Sequence, residues 1–120
     1  MGLVHVPVVI RSPGASNGGY EAAFLVDTGA TDSVAPASAL LKAGIRPIGR
    51  SNYELADGSV HEYSFGLGQI EFMGEITAGR VLFGAEGLVP ILGVTALESV
   101  GITVDPANHT LKRLPAVPLK

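Results

Sequence analysis

Val4, Val6, Val8 and Ile10 fall at every second position, which is the spacing of a half-buried strand and not of a helix. The same period returns at Tyr63, Phe65 and Leu67. The 16 glycines are spread along the chain instead of clustered. Short apolar segments punctuated by tight-turn residues predict a mainly β fold. With 120 residues, 47% of them hydrophobic and 16% charged, the chain can bury one core. It is therefore read as a single domain over 1–120, not as a disordered polymer.

The expected elements follow from local chemistry. Residues 12–19, rich in Gly, Ser, Pro and Asn, form a loop. Residues 20–26 resume as a strand whose apolar end, Phe24, Leu25 and Val26, is expected to be buried on both faces. Residues 36–43 predict a short helix, with Pro36 in its first turn, Leu40 and Leu41 in the core and Gly44 as its stop. Ala56-Asp57-Gly58-Ser59 is a hairpin tip, because Asp-Gly supplies the backbone that a tight turn requires. A strand over 76–83, a buried strand over 88–92, a helix over 94–100 stopped by Gly101, and a last hairpin built from 102–104 and 110–114 complete the chain. Glu62, Glu71 and Glu75 are expected at solvated positions.

Several function classes have no support. The formal charge is −3 with no Lys/Arg cluster, so no nucleic-acid partner is expected. Without cysteine there is no disulfide, no thiolate nucleophile and no Cys-type zinc site. His5, His61 and His109 are far apart and lack ligand spacing, so neither a metal nor a cofactor is expected. The longest apolar run, 87–97, falls short of the ~20 residues that span a bilayer. Residues 1–10 alternate like a strand, unlike a signal peptide. A cytoplasmic location with no membrane partner is the default expectation.

The chemistry concentrates at Asp27. An apolar strand delivers this acid onto a turn of Thr28, Gly29 and Ala30, followed by Thr31, Asp32 and Ser33. A carboxylate at the mouth of a buried strand is costly unless hydrogen bonds or a partner compensate it. The small residues 29 and 30 leave room for a ligand to approach the backbone, and the hydroxyls of Thr28, Thr31 and Ser33 are candidates to brace the loop. The lesser alternative for Asp27 is a turn residue that ends a strand. Asp32 is expected to cap the turn or face solvent, with a second acid as the lesser alternative.

Asp27-Thr28-Gly29-Ala30 resembles the catalytic motif of aspartic peptidases. Ile91-Leu92-Gly93 resembles the apolar-apolar-Gly strand that packs beneath the catalytic loop in that family, and Ala56-Asp57-Gly58-Ser59 sits where the family places its flap. The order of strand, Asp loop, flap, apolar-Gly strand and helix extends over residues 4–114. It is similar to the retropepsin-like, single-lobe members, and closer to cellular and bacterial ones than to retroviral proteases. The fold implied is a closed, barrel-like β lobe with a flap hairpin and one or two short helices.

By this resemblance, a chain with one Asp motif is expected to be a homodimer in which Asp27 of each copy forms a catalytic dyad. The function implied is an aspartic endopeptidase acting on a peptide or protein substrate. By the resemblance, Asp27, Thr28 and Gly29 form the catalytic motif, with Thr28 bonding across the dimer axis. Ala30, Ala56, Asp57, Gly58, Val60, Val89 and Ile91 would contact substrate, Asp57 as a turn former and not as a catalytic acid. Retroviral proteases place an acid and an arginine where this chain has Thr31 and Val94. Both halves of that ion pair are absent together, so no lone buried charge results. The alternative implied by this departure is a protease-like module, weakly active or inactive, that grips peptides without cutting.

Overall fold

The computed structural model describes residues 3–119. The alternating segment near the start forms β1 (His5–Arg11), with Val6, Val8 and Ile10 turned inward and buried. Pro7 is tolerated there because β1 pairs with a second neighbour only from Val9 to Arg11, past the position that lacks an N–H. After the loop come β2 (Tyr20–Asp27), β3 (Ser33–Pro36), α1 (Ala37–Lys42) and β4 (Gly49–Glu54). The chain continues as β5 (Val60–Phe72), β6 (Glu75–Gly84), β7 (Ile91–Gly93), α2 (Val94–Ser99), β8 (Ile102–Asp105) and β9 (Thr110–Arg113).

The main sheet runs β1-β2-β7-β3-β6-β5-β4, and a further pairing of β1 with β5 closes it. β5 makes closure possible by its length of 13 residues. Its first half pairs with β4, and its far end, Gln69 to Glu71, is held between β6 and β1. Closure removes the sheet edges along the ring and leaves β4 outside it, attached on one side alone. At the closing seam Arg11 meets Glu71 at 2.8 Å. Hydrogen bonds from Gln69 and then from Arg11 hold the Glu71 carboxyl below its ordinary range. Glu71 is thus a half-buried brace and not the solvated residue expected.

Inside the ring, Ile10, Phe24, Ile70, Val81 and Leu92 form one core, extended by Leu40, Leu97 and Ile102 from the flanking elements. The strand end at Phe24-Leu25-Val26 is buried less than its composition implies. Phe24 is fully covered, while Leu25 and Val26 are half-buried, because a closed sheet offers one inner face and only short helices outside it. Of the two leucines on α1, Leu40 is buried and Leu41 is 52% exposed. Pro36 is the N-cap residue and not part of the first turn. Gly44 at φ +89° supplies the left-handed stop.

The buried strand expected over 88–92 shrinks to β7. Pro90 has no N–H for a ladder and contributes only its carbonyl, which accepts the Leu25 N–H at 2.9 Å. Val89 lies 56% exposed ahead of it. β8 and β9 pair in a separate two-stranded sheet, tied to the main sheet by the Arg113 guanidinium, which donates to the Met73 carbonyl at 2.8 Å.

Candidate active site

Asp27 is the last residue of β2 and lies in parallel register with Gly93 of β7. Its side chain is held by its own loop. The Gly29 N–H donates to Asp27 Oδ1 at 2.9 Å, and the Ala30 N–H donates to the Asp27 carbonyl at 3.1 Å. An Asp that accepts the N–H two residues on forms an Asx turn, which presents the carboxylate in one orientation. The loop is fastened to α2 by main-chain bonds. The Val94 N–H donates to the Ala30 carbonyl at 2.8 Å, and the Thr95 N–H to the Thr31 carbonyl at 3.2 Å. These bonds join the two segments that carry Thr31 and Val94, with no ion pair between the side chains.

Two small residues complete the seam. Ser33, 2% exposed, accepts the Gly93 N–H at 3.1 Å through its hydroxyl. At Gly93 a Cβ would stand 2.6 Å from the Asp32 carbonyl carbon and 2.8 Å from the Thr31 carbonyl oxygen. Glycine at the end of Ile91-Leu92-Gly93 is thus what lets the Asp27 loop lie directly on β7. Of the three hydroxyls expected to brace the loop, Ser33 does so; Thr28 and Thr31 are exposed. Ser33→Ala removes the acceptor of a buried N–H and is expected to cost about 1–3 kcal/mol, read as a lower midpoint in denaturant unfolding.

In front of the loop opens a cleft of about 710 Å³, within the ~300–1,000 Å³ range of small-ligand and peptide sites. One wall is the loop itself, with Asp27, Gly29, Ala30, Asp32 and Val34; the other is β4 and its continuation, from Asn52 to Ala56. Leu82, Leu88 and Ile91 add apolar surface. Of the residues expected at the site, Asp27, Gly29, Ala30, Ala56 and Ile91 therefore share one cleft. Thr28, Asp57, Gly58, Val60 and Val89 are exposed outside the walls of the single chain. The turn at the tip is built as expected. Gly58 takes φ +86°, and Asp57 Oδ1 accepts the Ser59 N–H at 2.9 Å and its hydroxyl at 2.6 Å. Those bonds hold the Asp57 carboxyl below its ordinary value.

Asp32 corrects the sequence-based expectation. It neither caps the turn nor faces open solvent. It is half-buried in the cleft wall, and its Oδ2 accepts the Tyr53 hydroxyl at 2.7 Å. Tyr53 itself carries no local signal that would mark it as a site residue. Its partner lies 21 positions away in the chain and is met only when β4 folds over the loop. Among the described residues no group of three or more His, Cys, Asp or Glu side chains could hold a metal ion. Likewise, none of the described helices is long and apolar enough to cross a membrane.

A family profile described as aspartyl protease matches residues 12–95, which include both the Asp27 loop and the Ile91-Leu92-Gly93 strand. The chain belongs to the aspartyl protease family. Its fold is retropepsin-like. EIAV protease, solved in complex with the inhibitor HBY-793, superposes with a TM-score of 0.62 at 20% identity, over 87% of this chain and 93% of that one. The retroviral protease-like domain of Ddi1 from Leishmania major superposes with a TM-score of 0.59 at 17% identity, over 97% of this chain and 91% of that one. No curated protein matches the chain at a significant level. For an aspartyl protease lobe with one Asp motif, the barrel has a definite purpose. It rigidly joins the strand that ends in the acid to the strand that seats its loop.

Proposed function

We propose that this aspartyl protease family member is an endopeptidase whose active site is completed when two copies pair and bring their Asp27 side chains together. The observation that carries this is the setting of Asp27, a carboxylate oriented by the Gly29 N–H at 2.9 Å at the wall of a cleft of about 710 Å³. One lobe supplies one acid, whereas water activation needs a base and an acid together. Two identical carboxylates ~3 Å apart cannot both ionise, so one keeps a proton. The ionised Asp27 takes a proton from a water. The protonated Asp27 of the other copy donates a hydrogen bond to the scissile carbonyl oxygen. The water oxygen attacks the carbonyl carbon, and the carbonyl oxygen takes the proton of the second Asp27 to give a tetrahedral diol. The proton held by the first Asp27 then passes to the leaving nitrogen as the C–N bond breaks and a diol hydroxyl returns its proton to the second Asp27. No metal and no covalent enzyme intermediate is needed. Thr28, exposed beside the acid, bonds across the dimer axis, and Gly29 offers its carbonyl to the substrate backbone.

Substrate is an extended peptide held by strand addition to the β4–β5 hairpin. Val34, Leu82 and Ile91 in the cleft support apolar side chains beside the scissile bond. Val60 and Val89, exposed in the single chain, join Asp57 and Gly58 as contacts made after pairing. Activity is expected to rise faster than linearly with enzyme concentration below the dimer dissociation constant. Initial rates of cleavage of an unfolded protein over a dilution series test this, with sedimentation on the same samples. Strictly linear rates across a measured monomer–dimer transition would remove the pairing. The side chains Thr31 and Val94, with no ion pair at that seam, favour a second reading as a peptide-gripping module. Peptide binding by an intact dimer without any product would establish it.

A further inference from the structure

β4 is the outlying strand of the closed sheet, hydrogen-bonded only to β5. Main-chain ladders join β5 to β6 from Phe65 onward, so β4 and the outer part of the hairpin reach the body of the lobe through side chains. Among the described residues, two such ties exist on β4. Arg80 of β6 lies over the Phe65 ring at 3.9 Å and donates to the Ser51 hydroxyl at 2.9 Å. Two residues further along the same face, the Tyr53 hydroxyl donates to Asp32 Oδ2 at 2.7 Å. Beyond Tyr53, among the described residues, no side-chain hydrogen bond connects the tip to the body; those of Asp57 run to Ser59 within the turn.

The Tyr53 anchor is well made. Its ring meets Tyr63 edge-on, with centroids 6.1 Å apart, which fixes where the hydroxyl points. Its acceptor is equally fixed, because Asp32 belongs to the segment pressed against Gly93. Burial first, and the Asp32 bond second, hold the Tyr53 hydroxyl above its ordinary pKa, so it stays a donor throughout the range in which a carboxylate dyad works.

Resting on the peptidase function proposed above, we propose that Asp32 and Tyr53 are a positioning pair, the outermost tie of the flap, whose hydrogen bond sets how far the tip stands over the cleft. The pair acts on substrate capture and not on bond breaking. A hydrogen bond to a charged acceptor is strong enough to shift a closed-to-open ratio by about tenfold or more.

The decisive experiment reads flap position without substrate. The chain has no cysteine, so spin labels at Ala56→Cys on the flap and Glu98→Cys on α2 report one distance when labelled chains are diluted into unlabelled ones. Tyr53→Phe keeps the ring against Tyr63 and removes the donor. It is expected to move the distribution toward longer distances, with the open fraction up about tenfold. Asp32→Ala is expected to do the same, and the double variant to add little, since both remove one bond. On a peptide substrate, Tyr53→Phe is expected to raise KM by about the same factor with kcat within about twofold. An unchanged distribution in Tyr53→Phe, or effects of the two substitutions that simply add, would overturn the tie. A flap that opens as expected in a protein that cuts no peptide would keep the tie and sink the peptidase function instead.

Discussion

Asp27→Asn is expected to abolish peptide cleavage and leave the fold in place. In a homodimer a single substitution removes the base and the acid at once, since both are copies of the same side chain. The expected loss is about 10⁴-fold or more, the upper end of what general acid–base groups contribute. Stability is expected to change by less than about 0.5 kcal/mol. Asn keeps an oxygen for the Gly29 N–H, now held at 2.9 Å, and the acid lies at a cleft wall, outside the core. The measurement is cleavage of an unfolded protein between roughly pH 4 and 7, with thermal unfolding of both proteins alongside. A variant that folds, pairs and still cuts would place the chemistry elsewhere.

Gly93→Ala is expected to have the largest effect on stability. The added methyl would stand 2.6 to 2.8 Å from three backbone atoms of Thr31 and Asp32, and backbone cannot swing aside as the end of a flexible side chain can. Either the loop lifts off β7 or β7 leaves its place between β2 and β3. Overpacking of this kind costs about 3 kcal/mol, which for a domain of this size lowers the melting temperature by roughly 10 °C. Activity is expected to fall further than stability requires at temperatures where the variant is folded. The displaced segment is the one that holds Ala30 and Thr31 to α2 and so orients Asp27. A variant with wild-type melting and activity would show that the close approach at Gly93 does not exist in solution.

The two substitutions bear on different levels. Asp27 is a statement about chemistry at the surface of a finished fold, while Gly93 is a statement about how two remote segments are allowed to touch. Both residues were marked in the sequence, for different reasons. Asp27 stands out because an acid directly after Phe24-Leu25-Val26 contradicts burial. Gly93 stands out only through its resemblance to a family pattern. The physical reason for glycine there, the carbonyl groups of Thr31 and Asp32 where a Cβ would stand, belongs to a contact between segments remote in the chain.

Local patterns determined most of the strands, the turn at Asp57-Gly58, and the helix stops at Gly44 and Gly101. Each depends on side-chain period or on backbone freedom within a few residues. They also determined that an acid, with small residues behind it, would end a strand at position 27. Tertiary structure decided the rest. It showed that β3, four residues long, is a strand, because its partners β6 and β7 lie far along the chain. It closed the sheet through β5 and turned Glu71 from a solvated position into part of a seam. It left Leu25, Val26 and Val89 less covered than their apolar character suggested, since coverage depends on what packs above them. It also joined Asp32 to Tyr53, which no spacing rule connects. Periodicity is a property of neighbours in sequence, whereas burial and hydrogen-bond partnership across a barrel are set by which distant strands the closure brings together.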